Sequence, residues 1–213
     1  MTARRCFDMR TPSQRRGLTL IELMLALTIT VMISGAVAAM LAAVASGVDA
    51  RQDQRSVILR AGAAQARLSS YIVPSRAVLN ASPHTLVLWA NDNRPGGTIH
   101  ASELRWIEFH ENQGVVTVSY FELPDGWSDK QRYIGDMEYA QTANFASVRN
   151  ILDGAGVLRT VELIDGLEDV SFRVDSPVLS AQLVGFVLVF ETRQDPVRVR
   201  LTTSIRQHTV PEK

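Results

Sequence analysis

Arg15-Arg16-Gly17-Leu18-Thr19-Leu20-Ile21-Glu22-Leu23 opens an apolar stretch that continues to about Val48, and this stretch decides the fold. No charged residue occurs from Leu23 to Val48. About 20 apolar residues suffice to cross the hydrocarbon core of a bilayer, so the segment is long enough to span with some tilt. Glu22 stands just inside it. An acid at the centre of a membrane helix costs about 2.5–3.5 kcal/mol on insertion scales, which marks Glu22 as a functional position. Residues 1–17 carry Arg4, Arg5, Arg10, Arg15 and Arg16 against Asp8 alone. A basic flank of this kind is retained in the cytoplasm, so the N-terminus is expected to face in. Thr28, Thr30, Ser34 and Gly35 are small or can return their hydroxyls to the helix backbone, and membrane helices tolerate both.

Two export readings compete for this segment. Arg15-Arg16 fits a twin-arginine signal, and Ala43-Val44-Ala45 offers an A-x-A cleavage site that would release a soluble secreted domain from Ser46. A secretory apolar region runs about 7–15 residues, and this one is nearly twice that. Neither reading accounts for Glu22.

Gly17-Leu18-Thr19-Leu20-Ile21-Glu22, followed by the apolar run, resembles the type IV prepilin and pseudopilin signature. The resemblance implies that residues 1–17 are a leader peptide, that a prepilin peptidase cuts between Gly17 and Leu18, and that Leu18 is then N-methylated. It also implies that Glu22, with Thr19, serves subunit assembly, Glu22 meeting the free amine of Leu18 on a neighbouring subunit. The implied partners are the peptidase, other major and minor pseudopilins, an inner-membrane secretion platform and the lipid bilayer. The implied location is the bacterial inner membrane, single-pass, with a periplasmic head that later joins a filament.

Removing residues 1–17 takes five arginines and one aspartate from 22 basic and 22 acidic residues and leaves 17 against 21. A mildly acidic chain argues against nucleic-acid binding through a basic surface. The single cysteine, Cys6, falls in the leader, so the mature domain is expected to be held by its core and not by disulfides. About 165 residues remain after the apolar segment, enough for one domain with an ordinary core.

Beyond the span (18–48), Val57, Ile58, Ala61, Ala64, Gln65, Leu68, Tyr71 and Ile72 recur at helical spacing, which extends the same helix over 49–73 as an ectodomain part. Pro74 ends it. From 74 to 213 the pattern changes to period two. Thr85–Ala90, Glu103–His110, Val115–Glu122, Glu168–Val174, Leu183–Phe190 and Val197–Ile205 read as strands. Glu111-Asn112-Gln113-Gly114 reads as a hairpin loop. Ser128–Leu152 reads as a second helix or an irregular excursion, and Leu158–Ile164 is open between strand and turn. The expected class is α+β: a long N-terminal helix, half membrane-spanning and half ectodomain, packed on an antiparallel β-sheet head. The prepilin resemblance implies the same, pilin-like arrangement.

The run from Val161 to Val174, with Asp165-Gly166 at its centre and two further strands behind it, resembles the C-terminal half of J-type minor pseudopilins of type II secretion. It implies a structural subunit that starts pseudopilus assembly at or near the tip; a minor pilin of a type IV pilus is the alternative. The residues alone also fit a β-hairpin or turn through Asp165-Gly166.

Asp92 to Glu103 follows a calcium-loop template at its first, sixth, eighth and twelfth positions, but Arg94 and Gly96 occupy two places that should supply oxygen ligands. Asp92 and Glu103 are therefore incomplete metal candidates, and no metal or other cofactor is expected. His84, His100, His110 and His208 show no ligand spacing. Asp165, Glu168 and Asp169 read as a solvated acidic cluster with no phosphate loop or serine elbow beside it, so catalysis is not expected.

Overall fold

The computed structural model describes residues 19–91, 94, 97–192, 195–206 and 208–211, with no side-chain placement at 46 and 48–51. Helix α1 spans Leu20–Ile72. The chain divides into two units, 1–50 and 51–213.

In the first unit, the 26 residues Leu20–Ala45 are long and apolar enough to cross a membrane, and none is buried within the protein. Leu20, Ile21, Met32 and Met40 are each more than two-thirds exposed. So large an uncovered apolar surface demands lipid or protein around it. The hydroxyls of Thr28 and Thr30 donate to the carbonyls of Leu25 and Ala26, both at 2.8 Å, so neither is left as an unpaired donor.

The second unit begins with the remainder of α1 and continues as an antiparallel β domain. Its strands are β1 (Ala77–Ala81), β2 (Thr85–Trp89), β3 (Ile99–His100), β4 (Leu104–His110), β5 (Val115–Phe121), β6 (Glu138–Tyr139), β7 (Leu158–Ile164), β8 (Leu167–Val174), β9 (Leu183–Phe190) and β10 (Val197–Ser204), with helices α2 (Asp129–Gly135) and α3 (Phe145–Gly154) flanking β6. A five-stranded sheet is ordered β1-β2-β4-β5-β7, a three-stranded sheet β10-β9-β8, and β3 pairs with β6. All these pairs are antiparallel.

Val57, Ala61, Ala64, Leu68 and Ile72 form the buried stripe of α1 and share one core with Leu86, Leu88, Ile107 and Val118 of the larger sheet and Phe172, Phe186 and Phe190 of the smaller. Each large apolar side chain removed from water contributes about 1.5–3 kcal/mol. Ile58 and Gln65, expected on that stripe, are exposed instead. Helix α1 ends where Pro74 removes a donor, and the Ser75 hydroxyl donates to the Tyr71 carbonyl at 2.6 Å.

The opposite face of the five-stranded sheet carries a second core, with Val87, Trp89, Leu104 and Trp106 under Phe145, Val148 and Leu152 of α3. Burial on both faces explains the unbroken apolar run Leu86-Val87-Leu88-Trp89. The Trp106 indole donates to the Phe145 carbonyl at 3.0 Å, so its buried N–H is satisfied. The stretch 128–152 is two helices and not one. Ser128 caps α2 in a reciprocal box with Gln131, and Asn144 accepts the amides of Ala146 and Ser147 at the start of α3. Ile134, Met137 and Ile151 of this stretch are exposed.

At Asp165-Gly166 the chain leaves the larger sheet and enters the smaller, so the turn there joins two sheets and is not a hairpin. Arg60 from α1 donates to the carbonyls of Asp165 and Gly166 at 2.8 and 2.9 Å. Its guanidinium also lies 5.0 Å from the centre of the Phe190 ring. Gly166 has φ +62, and a Cβ there would collide with Arg60 Nη2. Gly166→Ala is expected to cost about 2–3 kcal/mol, from left-handed strain and the displaced charge-assisted bonds. That lowers the melting temperature by roughly 5–10 °C. Gly154→Ala, in α3 with nothing near its added Cβ, should be neutral or slightly stabilising in the same assay.

The link between β8 and β9 is held by Asp175, whose Oδ1 accepts the amides of Gln182 and Leu183, both at 3.1 Å. The Leu183 bond is the chief cause that holds this carboxyl below its ordinary value of 3.8. A depressed carboxyl contributes stability above its unfolded pKa and loses it as pH falls through the folded one. Hydrogen-exchange protection of the Leu183 amide should therefore fall as pH drops below about 3.8, the ordinary aspartate value. Asp175→Asn should remove that dependence.

Candidate functional site

The residues that the N-terminal resemblance singles out meet at the start of α1. Thr19 precedes the helix and Glu22 lies in its first turn. The Glu22 carboxylate Oε2 accepts both the Thr19 backbone N–H and the Thr19 hydroxyl at 2.9 Å, and the Glu22 N–H donates to Thr19 Oγ1 at 3.3 Å. This is a capping box: two helix-start donors are satisfied reciprocally within one turn. Sequence reasoning gave Glu22 a partner on another subunit and missed the one three residues away, although T-x-x-E before an apolar run is the signal for it. The carboxylate also sits at the positive end of the helix dipole, which lowers the cost of carrying it. Gly17 and Leu18, the cleavage and methylation positions, lie outside the described residues.

Of the two metal candidates, Asp92 also lies outside the described residues, whereas Glu103 is fully buried. Its Oε2 accepts the Trp89 indole N–H at 2.9 Å and the His100 amide at 3.1 Å, and its Oε1 accepts the Arg94 amide at 3.3 Å. Those bonds turn the carboxylate into the second core, where it closes the loop that the calcium template covers. Among the described residues, no three His, Cys, Asp or Glu side chains are grouped to hold a metal ion. Asp136, nearly buried, anchors the neighbouring segment by accepting the Ser102 amide at 2.8 Å and the Ser102 hydroxyl at 2.7 Å, and by pairing with Arg94 at 3.0 Å. Burial raises the pKa of the Tyr139 hydroxyl, and the negative charge of Asp136 raises it further.

Asp165, Glu168 and Asp169 are all exposed, and Asp169 has a neighbour at the surface. His84 Nε2 lies 3.5 Å from Asp169 Oδ1, and its Nδ1 lies 3.2 Å from Glu111 Oε1. The two carboxylates approach opposite ring nitrogens and so cannot converge on one metal ion; the imidazole instead links the β1–β2 and β4–β5 loops to β8.

No protein-family model matches the chain, and neither a curated protein nor a solved structure matches it.

Proposed function

We propose that the chain is a minor pseudopilin, a structural subunit of the type II secretion pseudopilus. It waits in the inner membrane with its N-terminus in the cytoplasm and its β domain in the periplasm, and then joins the filament at or near the tip. The observation that carries this reading is the capped carboxylate. Glu22 is the only charged residue between Thr19 and Ala45, and it sits in the first turn of a 26-residue apolar segment with no cover of its own. A signal peptide has no use for that arrangement, whereas a subunit that packs its apolar helix among copies in a filament requires a helix start fixed in register. An α+β layout, with an apolar N-terminal helix ahead of an antiparallel β domain, is what a pilin-like subunit needs: the helix for the filament core and the sheets for its outside.

Mass spectrometry of the mature protein tests the processing step. The expected N-terminus is a methylated Leu18, and Gly17→Trp should leave the full-length precursor in the membrane. A mature start at Ser46 would establish the secreted reading instead. Co-purification with secretion-type and not pilus-type partners separates the pseudopilin from the minor pilin.

A further inference from the structure

The outer face of the three-stranded sheet carries arginines that no other described residue engages. Cross-strand register places Thr202, Gly185 and Arg173 in one row and Arg200, Val187 and Ser171 in the next, with Arg198, Val189 and Asp169 beyond. Each of the first two rows therefore has an arginine on one flank and a hydroxyl on the other, and the order reverses between rows. All of these except Val189 line a depression of about 440 Å³ floored by Gly185 and Val187. A Cβ added to Gly185 would meet nothing closer than 3.9 Å, so packing does not demand glycine there. What the missing side chain does is keep the floor low.

Arg173, Arg198 and Arg200 are exposed, and among the described residues their side chains have no ion-pair or hydrogen-bond partner; the hydroxyls of Ser171 and Thr202 have none either. Several other arginines are committed: Arg60 binds turn carbonyls, Arg67 binds the Leu163 carbonyl of β7, and Arg94 and Arg149 pair with carboxylates. Charge on an edge strand protects against unwanted pairing, which accounts for Arg198 and Arg200 on β10. Strand β8 is the other edge of this sheet, so the same protection covers Arg173, but it does not account for the open glycine floor between the two edges.

We propose that this face docks an extended acidic segment of a partner protein, laid along β9 with carboxylates between the arginines of β8 and β10. Arg198 and Arg200 are two residues apart on one face, about 6.6–6.8 Å along the strand, which is the spacing of alternate side chains in an extended partner. Strands two apart are about 9.5 Å from each other, so long arginine side chains from both flanks converge over Gly185. The planar guanidinium fork matches a carboxylate in two parallel bonds. Asp169 stands at the Arg198 end of the strip, with Glu168 beside it. Those acids oppose a broad anionic surface such as a lipid leaflet, whereas an extended chain can place a neutral residue over them. The proposal does not depend on the pseudopilin reading.

The test uses the full chain in neutral detergent and a fluorescent, end-capped peptide of alternating glutamate and threonine, with the glutamine version as control. Anisotropy should show saturable binding of the glutamate peptide that weakens as salt rises, with the glutamine peptide at least about tenfold weaker. Arg173→Ser and Arg200→Ser should each lower affinity roughly tenfold, arginine to lysine less, and Gly185→Leu should block the floor, all with an unchanged melting temperature. Arg159→Ser, elsewhere on the domain, should have no effect. Equal binding of the two peptides, no binding, or indifference to Arg173 and Arg200 would overturn the proposal. So would inorganic phosphate or glycerol phosphate binding as tightly as the peptide, since the face would then be a simple oxyanion or lipid-headgroup site.

Discussion

Glu103→Ala should destabilise the β domain by about 3–5 kcal/mol, the range for removing one partner from a buried charged network. The carboxylate is fully buried, and its donors include the Trp89 indole, the His100 amide and the Arg94 amide. Alanine leaves all three facing the cavity it creates, and each unsatisfied buried donor costs about 1–3 kcal/mol. The melting temperature should fall by roughly 10 °C or more. Tryptophan emission should also shift to the red as water reaches Trp89. Glu103→Gln keeps an acceptor but turns its amide group toward at least one donor, so its loss should be intermediate. Trp89→Phe in the Glu103→Ala background separates the terms: if the orphaned indole N–H contributes, removing it returns part of the loss. Calcium at millimolar concentration should leave the parent's melting temperature unchanged, because both carboxylate oxygens already have donors.

Much of the architecture was legible because burial was one-sided. The α1 stripe Val57, Ala61, Ala64, Leu68 and Ile72 repeats every three or four residues, and β10 alternates arginine with Val199 and Leu201, so the period alone separates core from solvent. Leu158–Ile164 stayed open between strand and turn because its exposed Arg159, Thr160 and Glu162 give a weak apolar signal; its pairing with β5 fixes it as β7. The strand Ala77–Ala81 was missed because its five residues contain two alanines and an asparagine, types with low strand preference. Its pairing with β2 and its place over both cores override that preference. The site was harder to read. Glu103 resembled the last ligand of a metal loop, and only Trp89, fourteen residues away, reveals it as an acceptor inside the core. Likewise, nothing local in Asp165-Gly166 announces Arg60, which lies more than a hundred residues earlier. A contact between distant parts of the chain leaves no period to detect, while a capping box does, and the pair Thr19 and Glu22 could have been read directly.

Glu22→Ala should reach the membrane and be cleaved like the parent, yet its incorporation into the filament should fall at least about tenfold. Two physical causes predict that loss, and they are separable. The first is the charge: in the proposed pairing of Glu22 with a neighbour's N-terminal amine, breaking the pair would strand the remaining charge at a cost of about 3–5 kcal/mol. The second is the helix start, since the carboxylate accepts the Thr19 N–H and hydroxyl at 2.9 Å and a lost cap costs about 1 kcal/mol. Glu22→Gln distinguishes them because its amide oxygen can still accept both Thr19 donors while carrying no charge. If intersubunit pairing dominates, the glutamine variant should assemble as poorly as the alanine variant, and Thr19→Val, which loses the hydroxyl and keeps the charge, should assemble far better than either. If the cap dominates, glutamine should restore assembly and Thr19→Val should weaken it. In vivo crosslinking between subunits reads both variants in one experiment. The larger energy belongs to the charge, so the expected order of incorporation is parent, then Thr19→Val, then Glu22→Gln level with Glu22→Ala; a glutamine variant that assembles like the parent would assign Glu22 to the helix start alone.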